Sequence, residues 1–181
     1  SGELVWNERD LKIHQIADAT PASTVAVALG KFTALAGVIA VLTLLTMICG
    51  IVIQAFKGYY NFEIGLYLKT LFGMRFVDYM FLAVLALVVQ VLVNHKYLAH
   101  FVTLLLYIGM GFLGAFGLEH KLYQYGSDGG VTYSDMNGFG PFIAPFVWFK
   151  LYWAAWALLM GVIAVLFLVR GRESGLRGRL R

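Results

Sequence analysis

Apolar residues along this chain gather into long runs, not into the short alternating stretches of a soluble fold. A membrane-crossing helix needs about 20 mostly apolar residues, and four segments qualify. The first runs from Phe32 to Phe56 and carries no charge. The second runs from about Leu71 to Val93, interrupted near its start by Arg75 and Asp78. The third, about Phe101 to Leu118, is short and rich in glycine. The fourth runs from about Phe146 to Val169, with Lys150 in its first turn. A single segment in lipid satisfies its backbone polar groups only as a helix, so all four are predicted to be helical.

The connections differ in kind. In residues 1–30, Glu8-Arg9-Asp10 opens a helix with apolar Leu11, Ile13, Ile16 and Ala17. Pro21 ends it, because the residue before a proline is pushed away from helix. The periodicity predicts an amphipathic helix lying on the membrane surface. Residues 57–70 mix aromatics with charge, as an interfacial segment does. The loop NHKYLAH is tight, and the one from Glu119 to Pro145 is long, with glycines 126, 129, 130, 138 and 140. Within it, Phe139–Phe149 is apolar but broken by Pro141 and Pro145, which predicts a short re-entrant or interfacial piece. There is no internal repeat. The expected architecture is an all-α integral membrane protein: an amphipathic region over 1–30, a four-span domain over 31–169 and a basic tail over 170–181.

Composition agrees. The 181 residues are 60% hydrophobic and 13% charged, against roughly 25% charged in a soluble domain. The net charge of +4 would suit nucleic acid, but Arg170, Arg172, Arg177, Arg179 and Arg181 crowd directly after an apolar run. That placement reads as a topology signal, not as a nucleic-acid surface. With both ends cytoplasmic, the inner segments hold Arg9, Lys12, Lys31, Lys96 and the five tail arginines, nine of the 14 Lys and Arg. The outer segments hold the rest: Lys57, Lys69, Arg75, Lys121 and Lys150. The bias places both ends inside. A single cysteine, Cys49, excludes an intrachain disulfide and a cysteine-based zinc cluster. The chain opens on Ser1 and a polar stretch, which suggests a fragment of a longer polypeptide.

Few residues offer chemistry. Arg75 and Asp78, three apart, share a helix face and form a possible intramembrane polar pair, read here as held at the headgroup boundary with Arg75 reaching outward. Lys150, among Trp148, Phe149, Tyr152, Trp153 and Trp156, reads as an interfacial anchor in an aromatic belt. Gln54 and Gln90 suit hydrogen bonding between helices. His14, His95, His100 and His120 fall outside or at the ends of spans, which disfavours a bis-histidine haem or a metal site. Asp128 and Asp135 do not sit in a calcium-loop pattern. Gly109, Gly111, Gly114 and Gly117 permit close helix packing. Glu119-His120 lacks the second histidine of H-E-x-x-H, and Gly30-Lys31 is followed by Phe32, so no phosphate-cradling loop is present. No catalytic motif marks the chain as an enzyme, and no cofactor is expected.

The string NERDLKIHQIADATPASTVAVALGK resembles the cytoplasmic element of type 2 ABC exporter permeases: an acidic-basic-acidic triplet, a helix, a proline, then a lysine opening the next span. Glu8, Arg9, Asp10, Pro21 and Lys31 fall on those marks. A closer resemblance covers nearly the whole chain. GELVWNERD, FKGYYNFEIGLYLK, NHKYLAHF, LEHKLYQYG, YSDMNGFGPF, WFKLYWA and VRGRESGLRGRLR are similar to bacterial permeases fused to a zinc aminopeptidase domain further along the chain. The peptidase and the first two of the family's six spans are not in this sequence. The resemblance implies a coupling helix at Glu8, Arg9 and Asp10 that docks on an ABC ATPase subunit. It also implies a second permease unit, a short outer re-entrant helix before the last span, and a bacterial inner-membrane location. ATP would be hydrolysed on the partner chain. Two other readings stand beside export: a membrane anchor for the downstream peptidase, and a membrane redox or haem subunit.

Overall fold

The computed structural model describes residues 23–93, 95–117 and 120–167, which are all-helical apart from their connections. Glu8, Arg9, Asp10, Pro21, His14 and the tail arginines lie outside the described residues. The first helix, α1, spans Thr24–Phe56. Its start is set by Ser23, whose backbone is extended and whose side-chain Oγ accepts the Ala26 N–H at 3.2 Å, satisfying one of the helix's unpaired donors. Its end closes in a Schellman turn: Gly58 takes φ +77, its N–H reaching Ala55 O, while the Tyr59 N–H reaches Gln54 O, both at 3.0 Å. Only a residue without Cβ adopts that φ freely. The expected start at Phe32 is thus too late. Thirty-three residues make about 50 Å of helix, so α1 projects beyond a hydrocarbon layer about 30 Å thick.

The second span begins earlier than the apolar run predicts. Helix α2, Ile64–Tyr67, continues through a π-wound stretch, Leu68–Arg75, into α3, Phe76–Leu92. The stretch expected to lie at the interface over 57–70 is therefore half helical. Next come α4, Lys96–Gly111, and a 3-10 turn, Leu113–Phe116, ended by Gly117 at φ +78. At 16 residues, α4 is about 24 Å long. Three helical segments are long and apolar enough to cross a membrane: Val25–Phe56, Ile64–Leu92 and Gly140–Phe167. The chain is accordingly a membrane-embedded helical protein, with α4 as a shorter apolar companion.

The last helix, α5, is Gly140–Phe167, and here the expected re-entrant piece is overturned. All of that segment after Phe139 is the start of one continuous helix. Pro141 sits in the first turn, where its missing N–H would have had no helical partner. Pro145 sacrifices one bond, to the carbonyl of residue 141, still at the helix's beginning.

Helix α3 is the centre of the bundle and packs against α1, α4 and most heavily α5. Its inward stripe of Phe81, Leu85, Val88 and Val89 recurs at helical spacing. Phe81 meets Trp153 and Ala157 of α5, while Leu85 and Val89 meet Ala99 of α4, which is fully buried. The close packing expected at the glycines of the third span is not found. A Cβ built on Gly109, Gly111, Gly114 or Gly117 would meet nothing within 4 Å among the described residues. The small residue that lets α4 approach is Ala99, at the helix's other end.

The connection before α5 is held by local geometry. Gly129 has φ +77, and a Cβ there would stand 3.1 Å from the Phe149 ring. Gly129→Ala is expected to cost about 1–2 kcal/mol for the left-handed backbone alone, seen as a lower melting temperature in detergent. Gly130→Ala, at φ +93 with open space around it, separates the backbone cost from the clash.

Candidate functional site

A charged cluster forms where the start of α3, Lys150 of α5 and the loop between α4 and α5 meet. Arg75 and Asp78 lie within reach of each other, Arg75 Nη1 to Asp78 Oδ2 at 3.7 Å. This is a loose contact, longer than a good hydrogen bond. The stronger partner of Asp78 comes from 72 residues away: Lys150 Nζ donates to Asp78 Oδ1. The same ammonium donates to the carbonyl of Gly126 at 2.6 Å. It also stands over the rings of Phe81 and Phe146, 5.7 and 5.2 Å from their centroids. A lysine has three N–H donors, and here two oxygens and two aromatic faces surround it.

The interfacial-anchor reading of Lys150 is therefore corrected. Its residue is 7% exposed, and its ammonium is paired inside the protein instead of reaching for headgroups. The reason lies in helical phase. Phe146, Lys150, Trp153 and Ala157 are the buried residues of α5, and their spacing of four, three and four puts them on one stripe. Asp78 holds the matching position on α3, three residues before Phe81 and seven before Leu85. The aromatic belt survives on the other side, where Trp148 is 73% and Trp156 46% exposed.

A loop residue completes the site. The Tyr125 hydroxyl donates to Phe81 O at 3.1 Å, and its ring stands edge-on to Trp153 with centroids 5.1 Å apart. Burial pushes the Tyr125 phenol above its ordinary value, so it remains a neutral donor. The contacts of Tyr125 and Gly126 pin the loop between α4 and α5 to α3 and α5 together. Sequence reading passed over Tyr125, which resembles the other loop tyrosines and lies in no periodic element. Nearby, Asp128 Oδ1 accepts the Gly130 N–H at 3.0 Å in a local turn, while Asp135 is exposed.

Two cavities flank α3. One, of about 380 Å³, lies between α1 and α3 and is lined by Leu35, Ile39, Thr43, Tyr79 and Ala86 among others. The other, of about 630 Å³, lies between α3, the end of α4 and the loop before α5, with Arg75, Asp78, Lys121 and Asp128 among its lining residues.

The glutamines behave unequally. Gln90 is 1% exposed and shares a hydrogen bond with His100, Nε2 to Nδ1 at 3.0 Å, so it joins α3 to α4 as expected. Gln54 Oε1, also expected to join helices, is buried without a hydrogen-bond partner among the described residues. No three of His, Cys, Asp and Glu gather as metal ligands among the described residues. Comparison with protein-family models, with curated proteins and with solved structures returns no match.

Proposed function

We propose that this chain is the permease segment of an ATP-driven ABC exporter in a bacterial inner membrane, with both ends cytoplasmic. It forms half of a translocation path with a second permease unit, and an associated cassette subunit hydrolyses ATP. The observation that carries the reading is the clamp at the loop end. Asp78, Lys150 and Gly126 tie the central helix, the last helix and the loop into one body. A bundle held at one end turns a push at the other into a tilt, the kind of rigid-body rocking between two packings that alternating access uses. The resemblance supplies the push: the helix near Glu8–Asp18, gripped through Glu8, Arg9 and Asp10 by charge-assisted hydrogen bonds.

The faces of α1 and α5 support a second unit. In each of these spans only 11% of the apolar window is buried inside the chain, leaving their outer surfaces for lipid or another permease unit.

The test is a pull-down of the full-length protein in mild detergent, assayed for bound ATPase activity. An ATPase is expected with the native protein, and Glu8→Ala plus Arg9→Ala is expected to remove most of it. Binding and transport both unchanged in that variant would sink the coupling assignment. A folded protein that captures no ATPase would instead be a membrane anchor.

A further inference from the structure

The 630 Å³ cleft is graded from polar to apolar along α3. Its charged lining residues are Arg75, Asp78, Lys121 and Asp128, from the start of α3 and the loop after α4. Farther along α3, and from α4, the lining is apolar: Leu82, Leu85 and Ile108. Leu85 lies ten residues beyond Arg75, about 15 Å along the helix.

Charge around the cleft favours an anion. The Asp78 carboxylate is engaged by Lys150 behind the wall, and Arg75 touches it only at 3.7 Å. Counted together, Arg75, Lys121 and Lys150 face the two carboxylates Asp78 and Asp128, one positive charge in excess. The Arg75 side chain is 58% exposed, and its planar fork matches phosphate oxygens.

Depth favours a lipid. From Arg75 to Leu92 is 17 residues, about 26 Å of helix, against a hydrocarbon thickness of about 30 Å. With Leu92 at one boundary, Arg75 stands at the headgroup level of the other, and Leu82 and Leu85 lie at acyl-chain depth.

We infer that this cleft binds an anionic phospholipid, its phosphate held by Arg75 and Lys121 and the start of its chain lying against Leu82, Leu85 and Ile108. The inference needs only the membrane placement and not the transport reading, so the ATPase pull-down leaves it standing or falling on its own evidence.

The experiment titrates phosphatidylglycerol into the full-length protein in neutral detergent and reads bound lipid by native mass spectrometry. Phosphatidylcholine and inorganic phosphate serve as separate arms. Arg75→Gln plus Lys121→Gln is expected to weaken phosphatidylglycerol binding about thirtyfold, from the usual worth of two basic residues near an anionic lipid. Lys57→Gln plus Lys69→Gln removes two exposed cations that do not line the cleft, and is expected to change nothing. Ile108→Trp, at a position 46% exposed, is expected to weaken binding by filling the apolar part with both cations intact. Equal binding of phosphatidylcholine, or equal loss in both double variants, would overturn the proposal. Displacement of the lipid by inorganic phosphate at matched concentration would overturn it too, leaving a free-anion site.

Discussion

Lys150→Met is expected to destabilise the bundle by about 3–5 kcal/mol, the usual consequence of removing one partner from a buried ion pair. Asp78 keeps 24% of its side-chain surface open, which places the effect at the lower end of that range. The loss has two parts: the Asp78 carboxylate left with only the loose contact to Arg75, and the Gly126 carbonyl without its donor. The measurement is thermal unfolding of the detergent-solubilised protein, with the double variant Asp78→Leu plus Lys150→Met beside the single one. The double variant is expected to recover most of the stability, because buried ion pairs replaced by apolar residues are commonly neutral or stabilising. Equal losses in the two variants would mean that the charges do not act as a pair.

Trp153→Ala is expected to cost a similar amount, about 3–5 kcal/mol. Trp153 is 7% exposed and packs against Phe81, Ala157 and Tyr125, so truncation empties the contact between α3, α5 and the loop. In a membrane the driving force for such a contact is van der Waals packing and not exclusion of water, and a cavity forfeits it directly. Trp153→Phe is the informative companion. The indole Nε1 has no hydrogen-bond partner among the described residues, so losing it forfeits no bond, and the cost is expected to stay below about 1.5 kcal/mol. A phenylalanine variant as unstable as the alanine one would show that the indole nitrogen holds something essential.

The helical class and most of the span positions were legible because length and hydropathy carry them directly. Phe32–Phe56 needed only its uninterrupted apolar run. The ends were harder, since they depend on local chemistry that hydropathy does not register. Ser23 starts α1 eight residues before Lys31 by capping it. The two prolines before Trp148 read as breaks, yet sit where a helix start tolerates them. At the site, Arg75 and Asp78 were visible as neighbours on one face. Lys150 was visible as a charge but not as their partner, because no local rule links residues 72 apart. The signal was nevertheless present: Lys150 shares a helical phase with Phe146, Trp153 and Ala157, not with exposed Trp148 and Trp156. A charge in register with the apolar stripe calls for a partner inside the bundle. Aromatic density around it pointed the other way. The glycines after Tyr107 misled for a related reason, since composition shows that an approach is permitted but not that a neighbour makes it.

The π-wound stretch Leu68–Arg75 has a consequence for how the chain can change length. α winding turns each residue about 100° from the last, so a one-residue deletion between Asp78 and Phe81 would swing Asp78 relative to the stripe below it. A π turn takes up more residues than an α turn. Loss of one residue within Leu68–Arg75 can therefore be absorbed by tightening to α winding, with both flanks keeping their headings. Tyr67 would still face Gly50, where its ring now lies 3.1 Å from the position of a Cβ, and Asp78 would still face Lys150. Along this helix, spare length is stored in a single place, next to the charged pair whose aim cannot change.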